Sequence, residues 1–148
     1  MKTTTLKWTL LTAVTASMFF SCKKEDNKPT GCPINTTNIA GTYRMTGIQY
    51  TPGPNETPID FMKFMDECEK DDMMTFASDG KYTYDDAGTV CETEGSDEGV
   101  WKLENNRITI DGEVKGNIAS FDCKSLVLYV DGALEAGDRM TITYVKKN

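Results

Sequence analysis

From Ile39 to Val145, apolar and polar residues alternate in short runs broken by turn residues, the period-2 pattern of strands that bury one face. Ile39 to Tyr50 is rich in β-branched and aromatic side chains and predicts the first strand. Thr51 to Thr57 carries Pro52 and Pro54, which cannot join a ladder, and reads as a loop. The period then changes. Thr57 can cap a helix, Pro58 suits its first position, and Phe61, Phe64, Met65 and Cys68 recur at helical spacing, which predicts one short helix ending near Lys70.

Strand runs resume at Met73–Ala77, Lys81–Asp85, Gly99–Leu103 and Arg107–Ile110, then at Val114–Phe121, Ser125–Val130 and Arg139–Val145. Tyr82 and Tyr84 share a face, as do Trp101 and Leu103, and Met140, Ile142 and Tyr144. Ser78-Asp79-Gly80, Asn105-Asn106 and Asp111-Gly112 are turn signals, because Gly, Asn and Asp tolerate positive φ. Eight strands joined mostly by tight turns predict an all-β fold: an eight-stranded antiparallel up-and-down barrel, with one short helix between the first two strands. A sandwich is the rival architecture, but the longer crossovers it needs are scarce after residue 98. Such a barrel is just wide enough to be filled by side chains or to hold one small ligand.

The region before the strands has another character. Lys2 and Lys7 precede an apolar stretch from Trp8 to Phe20, about 13 residues, against the roughly 20 that a spanning helix requires. It reads as a secretory signal over residues 1–21. Phe19-Phe20-Ser21-Cys22 resembles a bacterial lipobox, in which the Cys becomes the lipid-modified new N-terminus. The alternative is an ordinary signal peptide with a Cys nearby. Residues 22–37 then read as a lipidated, solvated tether, leaving 38–148 as the folded domain. Lys24-Glu25-Asp26 resembles the export signal of surface-displayed lipoproteins in some Gram-negative bacteria; a periplasm-facing outer-membrane anchor is the alternative. The membrane, through the lipid on Cys22, is thus one expected partner.

Composition narrows the functions. At 148 residues the chain has room for one domain. Lys and Arg number 16 against 23 for Asp and Glu, a net charge of −7, which argues against a nucleic-acid partner. Histidine is absent, so imidazole bases and His metal ligands are excluded. Cys32, Cys68, Cys91 and Cys123 remain once Cys22 is set aside, and an even number in an exported chain argues for two disulfides with three possible pairings. No Cys-x-x-Cys redox or zinc motif occurs.

Ile39-Ala-Gly-Thr-Tyr43, Cys68-Glu-Lys-Asp-Asp72, Thr75-Phe76, Asp79-Gly80, Cys91 and Gly99-Val-Trp-Lys-Leu103 together resemble the bacterial lipocalin-like domains often carried by lipoproteins. The similarity spans nearly all of residues 38–146. It implies an eight-stranded calycin-type barrel. In lipocalins proper a Gly-x-Trp on the first strand plugs the closed end; here Gly41-Thr42-Tyr43 puts a tyrosine in that place. The preferred pairing on this topology is Cys68 with Cys91 and Cys32 with Cys123, and the resemblance also implies the Cys68–Cys91 bridge beside the helix. It implies no particular ligand.

Candidate chemistry is sparse. Without His, Ser and Cys nucleophiles lack the usual base. Asp85-Asp86 and the set Glu92, Glu94, Asp97 and Glu98 sit in a Gly-rich acidic stretch that reads as a solvated loop rather than a catalytic pair. With Asp79 these could serve calcium, yet their spacing matches no EF-hand loop. No catalytic, metal or cofactor residues are therefore assigned. The ligand-lining candidates are Tyr43, Tyr82, Tyr84 and Trp101 from the strands, with Phe61 and Met65 from the helix. Met62, Met65, Met73 and Met74 read either as a deformable lid or as packing that plugs the barrel, and a small barrel favours packing. The expected function is non-catalytic binding of a small apolar or amphipathic ligand; the alternative is a filled barrel serving a protein partner the sequence does not name. A binder of drug-sized molecules should enclose about 300 Å³ or more.

Overall fold

The computed structural model describes residues 32–91 and 95–147. The signal, Cys22, the tether up to Gly31, Glu92 and Glu94 lie outside the described residues. The chain begins with a short helix α1 (Thr36–Ile39), followed by β1 (Gly41–Thr51), β2 (Ile59–Asp60), β3 (Met73–Phe76) and β4 (Lys81–Asp85). β5 (Asp97–Glu104), β6 (Arg107–Ile110), β7 (Glu113–Phe121), β8 (Ser125–Asp131) and β9 (Arg139–Lys146) complete it. All pairings are antiparallel between neighbours in the sheet, and β9 returns to β1 from Tyr43↔Lys146 to Thr51↔Arg139, which closes the ring. Closure removes the two outer edges that an open sheet would expose to aggregation. The eight expected strands are present, with the two-residue β2 added to them.

The turns follow from residues that accept positive φ. Asn105 and Asn106 (φ 50° and 59°) join β5 to β6, and Asp111-Gly112 (φ 52° and 84°) join β6 to β7. The Asp111 carboxylate accepts from Val100 N at 2.9 Å and packs against Gly99, where a Cβ would collide with it.

One end of the barrel is closed by packing. Asn35 caps α1 by accepting from Asn38 N, and Ile39 turns inward, fully buried. Above it lies the Tyr43 ring, which takes the plug position, 6.0 Å from the Phe76 ring; Phe76 in turn stands 4.9 Å from Trp101. The Trp101 indole N–H donates to the Ala77 carbonyl at 2.7 Å. Ile108, Leu126, Leu128, Ile118 and Phe121 fill the remaining interior at this level. Cys32 is joined to Cys123 and Cys68 to Cys91, with Cα separations of 5.2 and 5.5 Å. These cross-links span 91 and 23 residues. In the chain-entropy picture they stabilise by about 4.5 and about 3 kcal/mol respectively. The first also fixes Cys32 to Thr37, on the tether side of the expected boundary at residue 38, against the barrel.

The expected helix between the first two strands is not formed. Ile59–Asp60 instead pairs with Tyr50 and Gln49, and two short 3-10 turns follow, Phe61–Phe64 and Glu67–Glu69. Met65 and Asp66 between them are extended. A short isolated helix is marginal unless a tertiary face holds it, and here Phe64 is 73% exposed. The segment is held instead by β1, by Phe61 against Tyr50 (5.4 Å between rings) and by the Cys68 bridge. Its apolar residues therefore build no α-helical lid.

The Asn105-Asn106 turn offers a clean test of turn chemistry. Asn106→Gly should stabilise the disulfide-intact protein by about 0.5 kcal/mol in urea unfolding, and Asn106→Val should cost about 2 kcal/mol. A Val variant as stable as the parent would contradict the left-handed turn.

Candidate functional site

Strand register brings a group of inward-facing tyrosines and methionines together beside β1. Tyr43 lies opposite Met74 of β3, and Met74 opposite Tyr84 of β4. On the other side Met45 lies opposite Tyr144 of β9. Tyr82, two residues before Tyr84, points into the same interior, and the group lines a recess of about 110 Å³. The remaining wall comes from Glu69 and Asp72, in the segment leading into β3.

This wall is held by hydrogen bonds. Asp72 is only 6% exposed. Its Oδ2 accepts from the Tyr84 hydroxyl at 2.5 Å and its Oδ1 from Ala87 N at 3.1 Å. The Glu69 carboxylate accepts from Asp66 N at 2.8 Å across the second 3-10 turn. The Thr89 N–H donates to Asp71 Oδ2, binding the chain after β4 to the same segment. Burial pushes Tyr43 up to about 12. Tyr144 also rises to about 12, through burial first and then its neighbour Tyr82. Tyr82 rises by burial, reinforced by the Asp97 and Asp111 carboxylates. These phenols stay neutral through the physiological range. They offer ring faces and hydroxyls, and add no negative charge.

Three of the six sequence candidates, Tyr43, Tyr82 and Tyr84, meet in the recess; Trp101, Phe61 and Met65 do not line it. Trp101 belongs to the closed end, because its cross-strand partner is Ile110 and its N–H is taken by Ala77. Phe61 packs on Tyr50 and Phe64 instead. Met45, Glu69 and Asp72 were not among the candidates. Met45 had a signal, since it lies two residues from Tyr43 on one strand face. The two acids had none: Glu69 sits at the end of the stretch whose helical spacing predicted a helix, and Asp72 falls between that stretch and the strand run at Met73.

A second, wider opening of about 360 Å³ lies at the far rim, between Thr51, Pro54, Asp131, Asp138 and Arg139. Its polar groups are already engaged. Asp138 accepts from the backbone N–H groups of Ala133, Leu134 and Glu135 at 2.7 to 2.9 Å, and from the Tyr50 hydroxyl. Arg139 pairs with Asp131 at 2.6 Å and lies 4.3 Å from the Tyr129 ring centre. This site is an organised loop rather than a set of waiting ligand groups. Among the described residues no group of three or more acidic or Cys side chains is placed to hold a metal ion.

Burial alone would raise the Asp138 carboxyl, but its four donors outweigh burial and hold it below its ordinary 3.8. A depressed folded-state pKa stabilises above the unfolded value and is lost as pH falls through the folded one. The amides of Ala133, Leu134 and Glu135 should therefore titrate together, with a midpoint below 3.8, in an NMR pH series. A common midpoint above 3.8 would contradict the clamp.

Comparison with known proteins agrees with this architecture. The model of the family described as Lipocalin-like domain matches residues 39–128. No curated protein and no solved structure matches the chain. With a closed antiparallel ring, a packed end beneath Tyr43 and a family match over most of its length, the chain belongs to the lipocalin-like domain family.

Proposed function

We propose that the protein is an outer-membrane lipoprotein of a Gram-negative bacterium, held by the lipid on Cys22 and displayed at the cell surface. Its barrel binds a small apolar or amphipathic ligand and catalyses no reaction on it. The observation that carries the ligand reading is the recess beside β1, where Tyr43, Tyr82, Tyr84 and Tyr144 meet around about 110 Å³. Drug-sized sites occupy roughly 300–1,000 Å³, so this recess admits one compact group of a ligand rather than a lipid chain. Four tyrosines and two methionines give that group an apolar, polarizable surface, and the carboxylates at its edge orient it.

The anchor is supported by the short apolar stretch before Ser21-Cys22, and outward display by Lys24-Glu25-Asp26. Among the described residues no helix is long and apolar enough to cross a membrane. One observation favours a second reading, an envelope-structural or protein-interaction module: Trp101, Tyr43, Phe76, Ile108 and Leu126 leave almost no surface exposed and pack the closed half solid.

Two experiments bear on these readings. Cys22→Ala should move the protein from the membrane fraction to the soluble fraction; retention in the membrane would sink the anchor. Protein purified from the envelope of its natural host should release a small molecule on denaturation, and Met45→Trp, which fills the recess, should carry none. A bare wild-type protein across growth conditions would shift the weight to the filled-barrel reading.

A further inference from the structure

The polar side of the recess is one-signed. Asp72 and Glu69 are its charged lining groups, and among the described residues no Lys or Arg lines it. Asp72 is almost fully buried and both its oxygens take neutral donors, Tyr84 and the Ala87 amide. Among the described residues no cation is paired with it. Asp71 Oδ1 and both carboxylate oxygens of Asp86 are also buried and, among the described residues, have no hydrogen-bond partner. Lys70 is drawn outward to Glu67 at 2.6 Å. Lys146 sits at the closed end, where its ammonium donates to the Asn38 carbonyl at 2.8 Å and lies 5.6 Å from the Tyr43 ring centre.

A buried carboxylate whose described partners are all neutral is costly, and a cation brought by a ligand would offset that cost. The rest of the lining suits a cation as well. Tyr82, Tyr84 and Tyr144 line the space together with Tyr43, whose ring already meets Lys146, and the negative face of an aromatic ring attracts ammonium groups most strongly where water is excluded. The size fits: at about 30 Å³ per water-sized group, the recess holds about four non-hydrogen atoms, the size of a trimethylammonium. The net charge of −7 draws cations toward the whole molecule.

We propose that the recess takes the cationic nitrogen of a small free amine, a primary or quaternary ammonium, between the tyrosine rings and the Asp72 carboxylate. This rests on the small-ligand reading above and sharpens it. A zwitterionic lipid headgroup carries the same nitrogen beside a phosphate, and that phosphate would be brought against Glu69 and Asp72. The free amine is therefore the better fit.

The test uses the full chain in a maltoside detergent with labelled methionine methyls, following Met45 and Met74 by NMR. The probes are choline, its neutral isostere 3,3-dimethylbutan-1-ol, and phosphocholine. Choline should shift both methyls saturably, with a Kd at least tenfold below that of the alcohol, and phosphocholine should bind more weakly than choline. Asp72→Asn should weaken choline about tenfold and leave the alcohol within twofold. If that variant loses the native methyl spectrum, Glu69→Gln should still weaken choline about threefold. Equal binding of choline and the alcohol would overturn the cation and leave the small-ligand reading standing. Phosphocholine binding more tightly than choline would overturn the free-amine assignment. No shift from any probe would overturn the cation and the recess reading together.

Discussion

The pairing of β1 with β9 is the interaction on which the rest of the molecule depends. It turns a meander into a ring, and it makes β1 the one strand with three neighbours. Along its other edge β1 is shared: β3 takes Gly41 to Arg44, and β2 takes Gln49 and Tyr50. Between those two stretches, from Met45 to Ile48, no strand covers that edge among the described residues. The ladder to β9 is also irregular there, with a bulge between Met45 and Gly47. The recess lies at the start of this gap, beside Met45, and the non-strand segment carrying Glu69 and Asp72 lines it there. The site is thus a consequence of how the ring closes.

The two ends of the barrel divide the work. At the α1 end, Ile39, Tyr43, Phe76 and Trp101 pack as an ordinary protein interior, with the polar atoms of Tyr43 and Trp101 donated to backbone carbonyls. That end holds the fold and leaves no room for a guest. Beside β1 the packing is looser and richer in tyrosine, and the segment forming the wall is tied down from outside by Cys68–Cys91 and by Asp72. Local stability and a binding surface therefore come from different residues. Tyr43, Met74 and Tyr82 belong to both, buried in the core cluster and lining the recess.

Strands and turns were legible in the sequence because both rest on short-range rules. Alternation in Lys81–Asp85 or Arg107–Ile110 reports one buried face, and Asn105-Asn106 or Asp111-Gly112 reports positive φ. The segment from Thr57 to Lys70 was misread for the same reason. Its helical spacing of Phe61, Phe64, Met65 and Cys68 is a local signal, and its conformation is set by partners outside the segment, Tyr50 against Phe61 and Cys91 on Cys68. Helix α1 was missed because a four-residue turn carries too few positions to show a period. Tyr43, Tyr82 and Tyr84 could be placed inward from strand parity. That they form a recess, while Trp101 forms a floor, depends on cross-strand register, which parity does not contain.

The most direct measurement is methyl-detected NMR of the disulfide-intact protein under xenon pressure, since xenon enters small voids and reports them site by site. We expect the Met45 and Met74 methyls to shift with pressure, and those of Ile108, Leu126 and Leu128 to stay unmoved. Shifts spread across those core methyls, or none at Met45 and Met74, would contradict a barrel packed solid at one end with a small recess beside β1.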